Sequence, residues 1–211
     1  MGGKDRTSWA LIHSERERLA ELLAGLDAEQ WRAQSLCGAW TVEQVVAHLT
    51  AAASTGALAW MRSIVAARFD ADLHNARRLS GYLGSTPGET LDRFRAVVSS
   101  TTAPFGDRAA WLGEVIVHGQ DIARPLGVAL EPDPEAVLAV AGFYTRVDFA
   151  VNSKTLVAGL SLVADDASFS VGDGPEVRGH LLDLVMASAG RGAALSGLEG
   201  RGSAELRRRI G

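Results

Sequence analysis

Residues 107–127, with the sequence DRAAWLGEVIVHGQDIARPLG, decide the fold of this protein. The stretch predicts one long helix from about Asp107 to Leu126, because apolar residues recur along it at helical spacing and Gly127 follows where helices commonly stop. Glu114 and His118 lie four residues apart in it, so their side chains share one face, with about 5–6 Å between the Cβ atoms. A carboxylate and an imidazole on one face can bind the same metal ion.

Taken alone, the Glu114 and His118 pair also fits a chance pair on a helix surface. Its surroundings favour burial, because six apolar residues flank it: Trp111, Leu112, Val115, Ile116, Val117 and Ile122. His48 lies in a second apolar helix, and charged groups are rarely buried on such faces unless they are paired or bound to a metal. We therefore predict that His48, from a facing helix, completes a metal site with Glu114 and His118.

Two imidazoles and one carboxylate suit a divalent ion. Zinc is favoured, with iron, nickel or cobalt as alternatives, and three protein ligands leave a position for water or substrate, as catalysis requires. The other histidines have no partner at ligand spacing and are predicted not to bind the ion: His13, His74 and His180.

The other parts of the first 150 residues also show helical periodicity. Long helices are predicted at 9–25, 41–64, 86–98 and 134–149, and a short turn of helix is predicted at 27–31. Thr41 with Gln44 forms a capping box, and Thr86 followed by Pro87 is a second helix start. Four long helices joined by short or moderate loops predict a bundle, and the core of a bundle is a common place for metal sites.

After residue 150 the pattern changes. Residues 155–163 and 167–171 are predicted strands, residues 176–189 return to helical spacing, and residues 203–210 are a last short helix. We predict an α+β protein that is mostly α, with a helical bundle carrying the metal site at 1–150 and a small C-terminal α/β domain at 151–211.

Size and charge limit the function classes. At 211 residues with 47% hydrophobic content, the chain can bury one core and a small second one. A formal net charge of −4 gives no electrostatic reason for nucleic-acid binding. No apolar segment reaches the roughly 20 residues that span a membrane, and no signal peptide opens the chain, so we expect a cytoplasmic protein. The single cysteine, Cys37, excludes an internal disulfide, and a packing role is favoured for it.

Short motifs occur in order along nearly the whole chain: AEQW at 28–31, SLCGAWTV at 35–42, VAHL at 46–49, NAR at 75–77, EVIVHGQD at 114–121, DL at 183–184, GR at 190–191 and LEG at 198–200. Together they resemble the mycothiol-dependent maleylpyruvate isomerase-like family. The resemblance implies a DinB-like four-helix bundle followed by a small α/β domain related in shape to sterol-carrier proteins. One departure is Gly38-Ala39, where the family usually has Pro-Gly, and we expect it to alter only the turn.

The resemblance also implies a reaction. It implies that the metal ligands are His48, Glu114 and His118, and that mycothiol, a low-molecular-weight thiol of actinobacteria, is the cosubstrate. Since a bound divalent ion stabilises a thiolate over a thiol, we expect mycothiol to attack a small electrophilic substrate. The thiol would either transfer its sulfur permanently or add and leave, which isomerises a double bond.

Three further residues are candidates for the same site. The resemblance implies that Arg191 binds or polarises substrate, and its guanidinium could hold a carboxylate through two hydrogen bonds. Asp121 could orient a ligand imidazole or a water, or it could have a plain role on the helix surface or in the C-terminal turn. Asn75 could reach the site, or it could cap a turn.

Two other functions remain open from the sequence. A metal-assisted hydrolase would activate water and would turn over without a thiol. A non-catalytic metal-binding or small-molecule-binding accessory protein would be stabilised by its ligand without forming product. We expect no nucleic-acid or membrane partner, and a monomer or a homodimer.

Overall fold

The computed structural model describes residues 9–38, 40–57, 79–103, 106–149 and 151–211. These residues are mostly helical and include a small four-stranded sheet, so the predicted α+β, mostly α class is confirmed. They divide into two compact units, with the division between Glu131 and Pro132.

The N-terminal unit is built from helices. These are α1 (Trp9–Ala24), α2 (Ala28–Arg32), α3 (Val42–Ser54), α4 (Pro87–Arg95) and α5 (Arg108–Leu126). Both α1 and α3 pack on α4 and on α5, so the four longer helices form a bundle with α2 packed beside α3. The bundle encloses a continuous apolar core, whose largest fully buried side chains include Leu19, Leu23, Phe94 and Ile122.

Local capping explains where these helices begin. The Thr41 hydroxyl accepts from the Gln44 amide while the Gln44 side chain accepts from the Thr41 amide, so the predicted capping box is present. Thr86 caps α4 in the same manner through the Glu89 amide. At the end of α5, Gly127 adopts φ +64°, a left-handed conformation that glycine reaches without steric cost. The predicted helix over 107–126 is thus confirmed.

The helix that carries His48 is shorter than predicted. The apolar stripe extends to Ile64, but α3 ends at Ser54, and Thr55 is extended. The hydroxyls of Ser54 and Thr55 donate to backbone carbonyls four residues earlier, at 2.8 and 2.6 Å, and such bonds weaken the last helical turn. Residues 58–78, which include Ile64 and Asn75, lie outside the described residues.

The C-terminal unit mixes helices with a sheet. Its elements are α6 (Pro134–Tyr144), α7 (Ser153–Val157), β1 (Ser161–Ala164), β2 (Ser170–Val171), β3 (Glu176–Gly179), α8 (Leu181–Ser188), a 3₁₀ helix (Gly192–Gly197), β4 (Leu198–Glu199) and α9 (Ser203–Ile210). The strand order is β2-β1-β3-β4, with β1 parallel to β3 and antiparallel pairs at both edges. Helix α8 packs on α6 and on β1 and β3, and α9 has the predicted bounds.

Two predictions near residue 150 are wrong. The helix predicted to run to Phe149 ends at Tyr144, and residues 155–157, predicted as the start of a strand, belong to helix α7. The Asp148 carboxylate accepts from the Thr155 amide at 3.0 Å and from its hydroxyl at 2.6 Å. These two hydrogen bonds form with residues 145–149 in a non-helical conformation and with the first turn of α7 helical.

Residues 176–179 were predicted as helix and are strand β3. Val177 is paired with Leu162 of β1, and Gly179 is paired with Leu198 of β4, so the strand lies between two partners. Helix α8 begins only at Leu181, whose amide donates to the Asp166 carboxylate at 2.8 Å. Distant pairing therefore overrides a helical spacing in the sequence.

The two compact units divide after Glu131, and the predicted domain boundary after residue 150 stays a prediction. Helix α6, predicted to belong to the bundle, lies in the C-terminal unit because it packs on α8. None of the described helices combines the length and the apolar character needed to cross a membrane.

Candidate metal centre

The three predicted ligands come together between two helices of the bundle. His48 lies on α3, while Glu114 and His118 lie one turn apart on α5. The Glu114 Oε2 atom is 3.2 Å from His48 Nε2 and 3.5 Å from His118 Nε2. The two imidazole rings meet edge to face, with centroids 5.0 Å apart.

These distances suit a small divalent ion. Zinc holds nitrogen and carboxylate oxygen at about 2.0–2.2 Å in a tetrahedron, which separates neighbouring donor atoms by about 3.4 Å. The two separations from Glu114 Oε2, 3.2 and 3.5 Å, bracket that value. The donor set therefore fits the metal that the sequence predicts.

The three side chains are only slightly exposed to solvent. His48 is 14% exposed and Glu114 is 18% exposed, whereas Asp121, next to His118, is fully buried. The indole ring of Trp40 lies against the His48 ring, with centroids 5.0 Å apart. The exposed parts of His48 and Glu114 are therefore where a small molecule could reach the cluster.

Asp121 holds the ring of His118 from behind. Its Oδ2 atom is 3.0 Å from His118 Nδ1, so the ring can donate there and keep Nε2 directed at Glu114. Because Asp121 is fully buried, the alternative of a helix-surface role does not describe it. A carboxylate behind a ligand histidine fixes the ring orientation and increases its basicity.

The charges in the cluster are strongly coupled. Burial would raise the pKa of Glu114, but hydrogen bonds from His118 and His48 outweigh it and hold that pKa well below its usual range. Burial would lower the pKa of His118, but hydrogen bonds with Asp121, Cys37 and Glu114 raise it well above its ordinary value. Without a metal, the cluster therefore holds a proton on His118 between two carboxylates.

The loop between α2 and α3 brings a residue that the sequence did not assign to the site. The Leu36 amide donates to the Asp121 carbonyl at 3.0 Å, which fixes the loop to α5. Cys37 consequently lies with its Sγ atom within 4.8 Å of donor atoms of His118 and Asp121. No signal in the sequence links Cys37 to His118, because the contact depends on how the loop folds back.

Gly38 stands in the turn of this loop, at the place where the resembled motif would have proline. Gly38 adopts φ +57°, which the proline usual at this position cannot reach because its ring fixes φ near −65°. The Trp40 carbonyl accepts from the amide and the hydroxyl of Ser35, at 3.0 and 2.7 Å. These hydrogen bonds hold Trp40 beside His48.

Two other predicted site residues do not belong to the described part of the N-terminal unit. Arg191 lies in the C-terminal unit, directly after Gly190, where it is half-buried and donates to the Ala189 carbonyl at 2.8 Å. Asn75 lies outside the described residues. The substrate-binding roles of both residues stay predictions.

Comparison with known proteins supports the family resemblance. Residues 12–103 match the family model described as the mycothiol maleylpyruvate isomerase N-terminal domain. No curated protein sequence matches the chain significantly.

Two solved structures share the fold. A mycothiol-dependent maleylpyruvate isomerase superposes with a TM-score of 0.63 at 16% sequence identity. A histidine-to-alanine mutant of a mycothiol-dependent maleylpyruvate isomerase superposes with a TM-score of 0.64 at 15% sequence identity. In both comparisons 92% of this chain and 92% of the other are covered. The resemblance seen in the sequence motifs is confirmed, and the fold extends over both compact units.

Proposed function

We propose that this chain, whose residues 12–103 carry the mycothiol maleylpyruvate isomerase N-terminal domain, is a metal-dependent enzyme that uses mycothiol to act on a small electrophile. The observation that carries the proposal is the convergence of His48, Glu114 and His118 at distances that suit one divalent ion. His48 lies inside the matched region, and the other two donors approach it from α5.

The charge of the donor set supports a thiol as cosubstrate. Two neutral imidazoles and the Glu114 carboxylate would hold the ion and leave a net positive charge at its open position. A bound divalent ion lowers the pKa of a thiol enough to form the thiolate at neutral pH. No residue of the chain then needs to supply the attacking sulfur.

The protein's own side chains orient the reaction. Asp121 accepts from His118 and so keeps the imidazole directed at Glu114. Trp40 packs beside His48 and covers one side of its ring. Because His48 and Glu114 remain partly exposed, a thiol or a substrate could reach them from solvent.

The first substrate to test is maleylpyruvate, by analogy with the structural relatives. The mycothiol thiolate would add to one carbon of the double bond, and the displaced π electron pair would move onto the conjugated carbonyl to form an enolate. The former double bond would then rotate as a single bond, and return of the electron pair would expel the thiolate and restore the double bond in trans. Arg191 would hold a substrate carboxylate, and Asn75 is a second candidate for substrate contact. The protein is proposed to be cytoplasmic and either monomeric or homodimeric.

Metal content measured by mass spectrometry tests the site on Cys37→Ser, the reference in which the nearby thiol cannot bind the ion, and on Cys37→Ser/His48→Ala. We expect the double variant to lose most of its zinc while it remains folded, because the apolar core of the bundle does not include His48. Thermal unfolding of both proteins checks the fold. Equal zinc occupancy in the two proteins would remove His48 from the site.

The same preparations test the chemistry. Purified zinc-loaded protein is incubated with maleylpyruvate, with and without mycothiol, and the products are followed by NMR. Isomerisation or a thioether adduct only in the presence of mycothiol supports the proposal. Hydrolysis without thiol would favour the metal-assisted hydrolase, and stabilisation by either compound without product would favour a binding protein.

A further inference from the structure

A second set of candidate metal-ligand atoms shares His118 with the first set. Those of Cys37, His118 and Asp121 all lie within 4.8 Å of one another, as do those of the first set. We propose that Cys37, His118 and Asp121 form a second, thiolate-containing metal site, which shares His118 with the first site and competes with it.

The position of the His118 ring makes the two sites alternatives. Its Nε2 atom is 3.5 Å from Glu114 Oε2, and its Nδ1 atom is 3.0 Å from Asp121 Oδ2. A neutral imidazole carries its proton on one nitrogen and offers a lone pair on the other. One ring therefore serves one ion at a time.

The two donor sets differ in charge and softness. The first has one carboxylate and no sulfur, whereas the second has the Cys37 thiolate and the Asp121 carboxylate, which together neutralise a divalent ion. Full neutralisation matters here because Asp121 is fully buried and His118 is 8% exposed. Thiolate donors favour soft ions, so the second site should prefer a thiophilic cation such as cadmium.

Backbone hydrogen bonds hold Cys37 in place for this role. The Cys37 amide donates to the Ser35 hydroxyl at 3.1 Å, and its carbonyl accepts from the Trp40 amide at 3.1 Å. The neighbouring Leu36 amide donates to the backbone carbonyl of Asp121, the residue whose carboxylate is a proposed metal ligand. The loop and helix α5 therefore carry the three donors as one connected unit.

Cadmium binding to the full-length, metal-depleted protein tests the proposal. The ultraviolet charge-transfer absorption of a cadmium–thiolate bond reports Cys37 ligation directly. In His48→Ala, which keeps the whole second set, we expect this absorption to rise to about one equivalent of cadmium. It should be abolished in Cys37→Ser and should need at least about tenfold more cadmium in His118→Ala, where one of three ligands is lost.

Two results would overturn the second site. One is the absence of thiolate absorption in both the wild type and His48→Ala, with the fold of each verified by thermal unfolding. The other is an unchanged titration in His118→Ala, which would mean that Cys37 binds cadmium without the shared histidine. Because His48→Ala lacks a donor of the first site, these readouts do not depend on whether the proposed thiol chemistry is correct.

Discussion

Two histidine–aspartate pairs of this chain have nearly the same geometry and very different surroundings. In the bundle, His118 Nδ1 is 3.0 Å from Asp121 Oδ2, and in the C-terminal unit, His180 Nδ1 is 3.3 Å from Asp166 Oδ2. The side chains of His118 and Asp121 are 10% and 0% exposed, whereas those of His180 and Asp166 are 72% and 42% exposed.

The difference lies in what else converges on each histidine. Glu114, His48 and Cys37 surround His118, whereas His180 belongs to no potential metal-binding group among the described residues. The Asp166 carboxylate instead accepts from the Leu181 amide at the start of α8. A close pair is thus not enough for a site, and burial with additional donors is what distinguishes the bundle pair.

The strongest test of this contrast is His118→Ala. The substitution removes a ligand from both donor sets, so we expect zinc binding to weaken by at least about 100-fold and thiol-dependent turnover to fall to background. Metal content by mass spectrometry and product formation by NMR measure the two effects. If His118→Ala retained zinc at the wild-type level, the buried pair of His118 and Asp121 would not be part of a metal site, like the exposed pair of His180 and Asp166.

Asp121→Asn tests the contribution of the second carboxylate. The amide oxygen can still accept from His118, but the negative charge behind the ring is lost, so zinc affinity should fall by about 10–100-fold. The pKa of His118 should fall in parallel toward its ordinary value. Competition with a chelator of known affinity measures the first effect, and NMR titration of the metal-free variant measures the second. Unchanged affinity would limit Asp121 to packing.

A smaller effect is expected from pH. The pKa of His118 is raised in the folded, metal-free chain. The protonated ring therefore stabilises the fold, and this contribution is fully present below the unfolded pKa of about 6.5. It is lost as pH rises through the higher pKa of the folded state. Zinc requires the deprotonated ring. The increase in Tm caused by zinc should therefore grow between about pH 6 and about pH 8.

The matched control for the pH effect is His118→Ala, in which the ring that binds the proton is absent. Little zinc-induced stabilisation should remain at either pH in that variant. If the increase in Tm that zinc causes in the wild type did not depend on pH, zinc would not be competing with the proton on His118.

The smallest effect is predicted for His180→Ala. The His180 side chain is mostly exposed, and surface substitutions of this kind change the free energy of unfolding by no more than about 0.5 kcal/mol. Zinc content and turnover should equal those of the wild type. A clear loss of zinc would show that the exposed pair contributes to metal binding and would break the contrast drawn above.

Elements with local signals were predictable from the sequence. The capping box of Thr41 and Gln44, the cap at Thr86 and the left-handed Gly127 are each set by residues within a few positions, and all are present as expected. Strand β3 was mistaken for helix because its partners, β1 and β4, are distant in the sequence. Strand pairing leaves a weaker local pattern than a helix cap does.

The same division applies to the candidate site. The spacing of Glu114 and His118 on one helix, and the apolar setting of His48, were enough to predict a shared ion. The place of Cys37 was not predictable, because it depends on the hydrogen bond between the Leu36 amide and the Asp121 carbonyl, which joins distant parts of the chain.

By itself, the sequence determined the helices of the bundle and the types of donor that face its interior, because periodicity and capping act over a few residues. Only the tertiary structure decided which donors meet. Packing of α3 against α5 sets the distance from His48 to Glu114, and the fold of one loop puts a thiol beside the buried histidine. These contacts are fixed by packing between segments that are far apart in the chain, which no local pattern encodes.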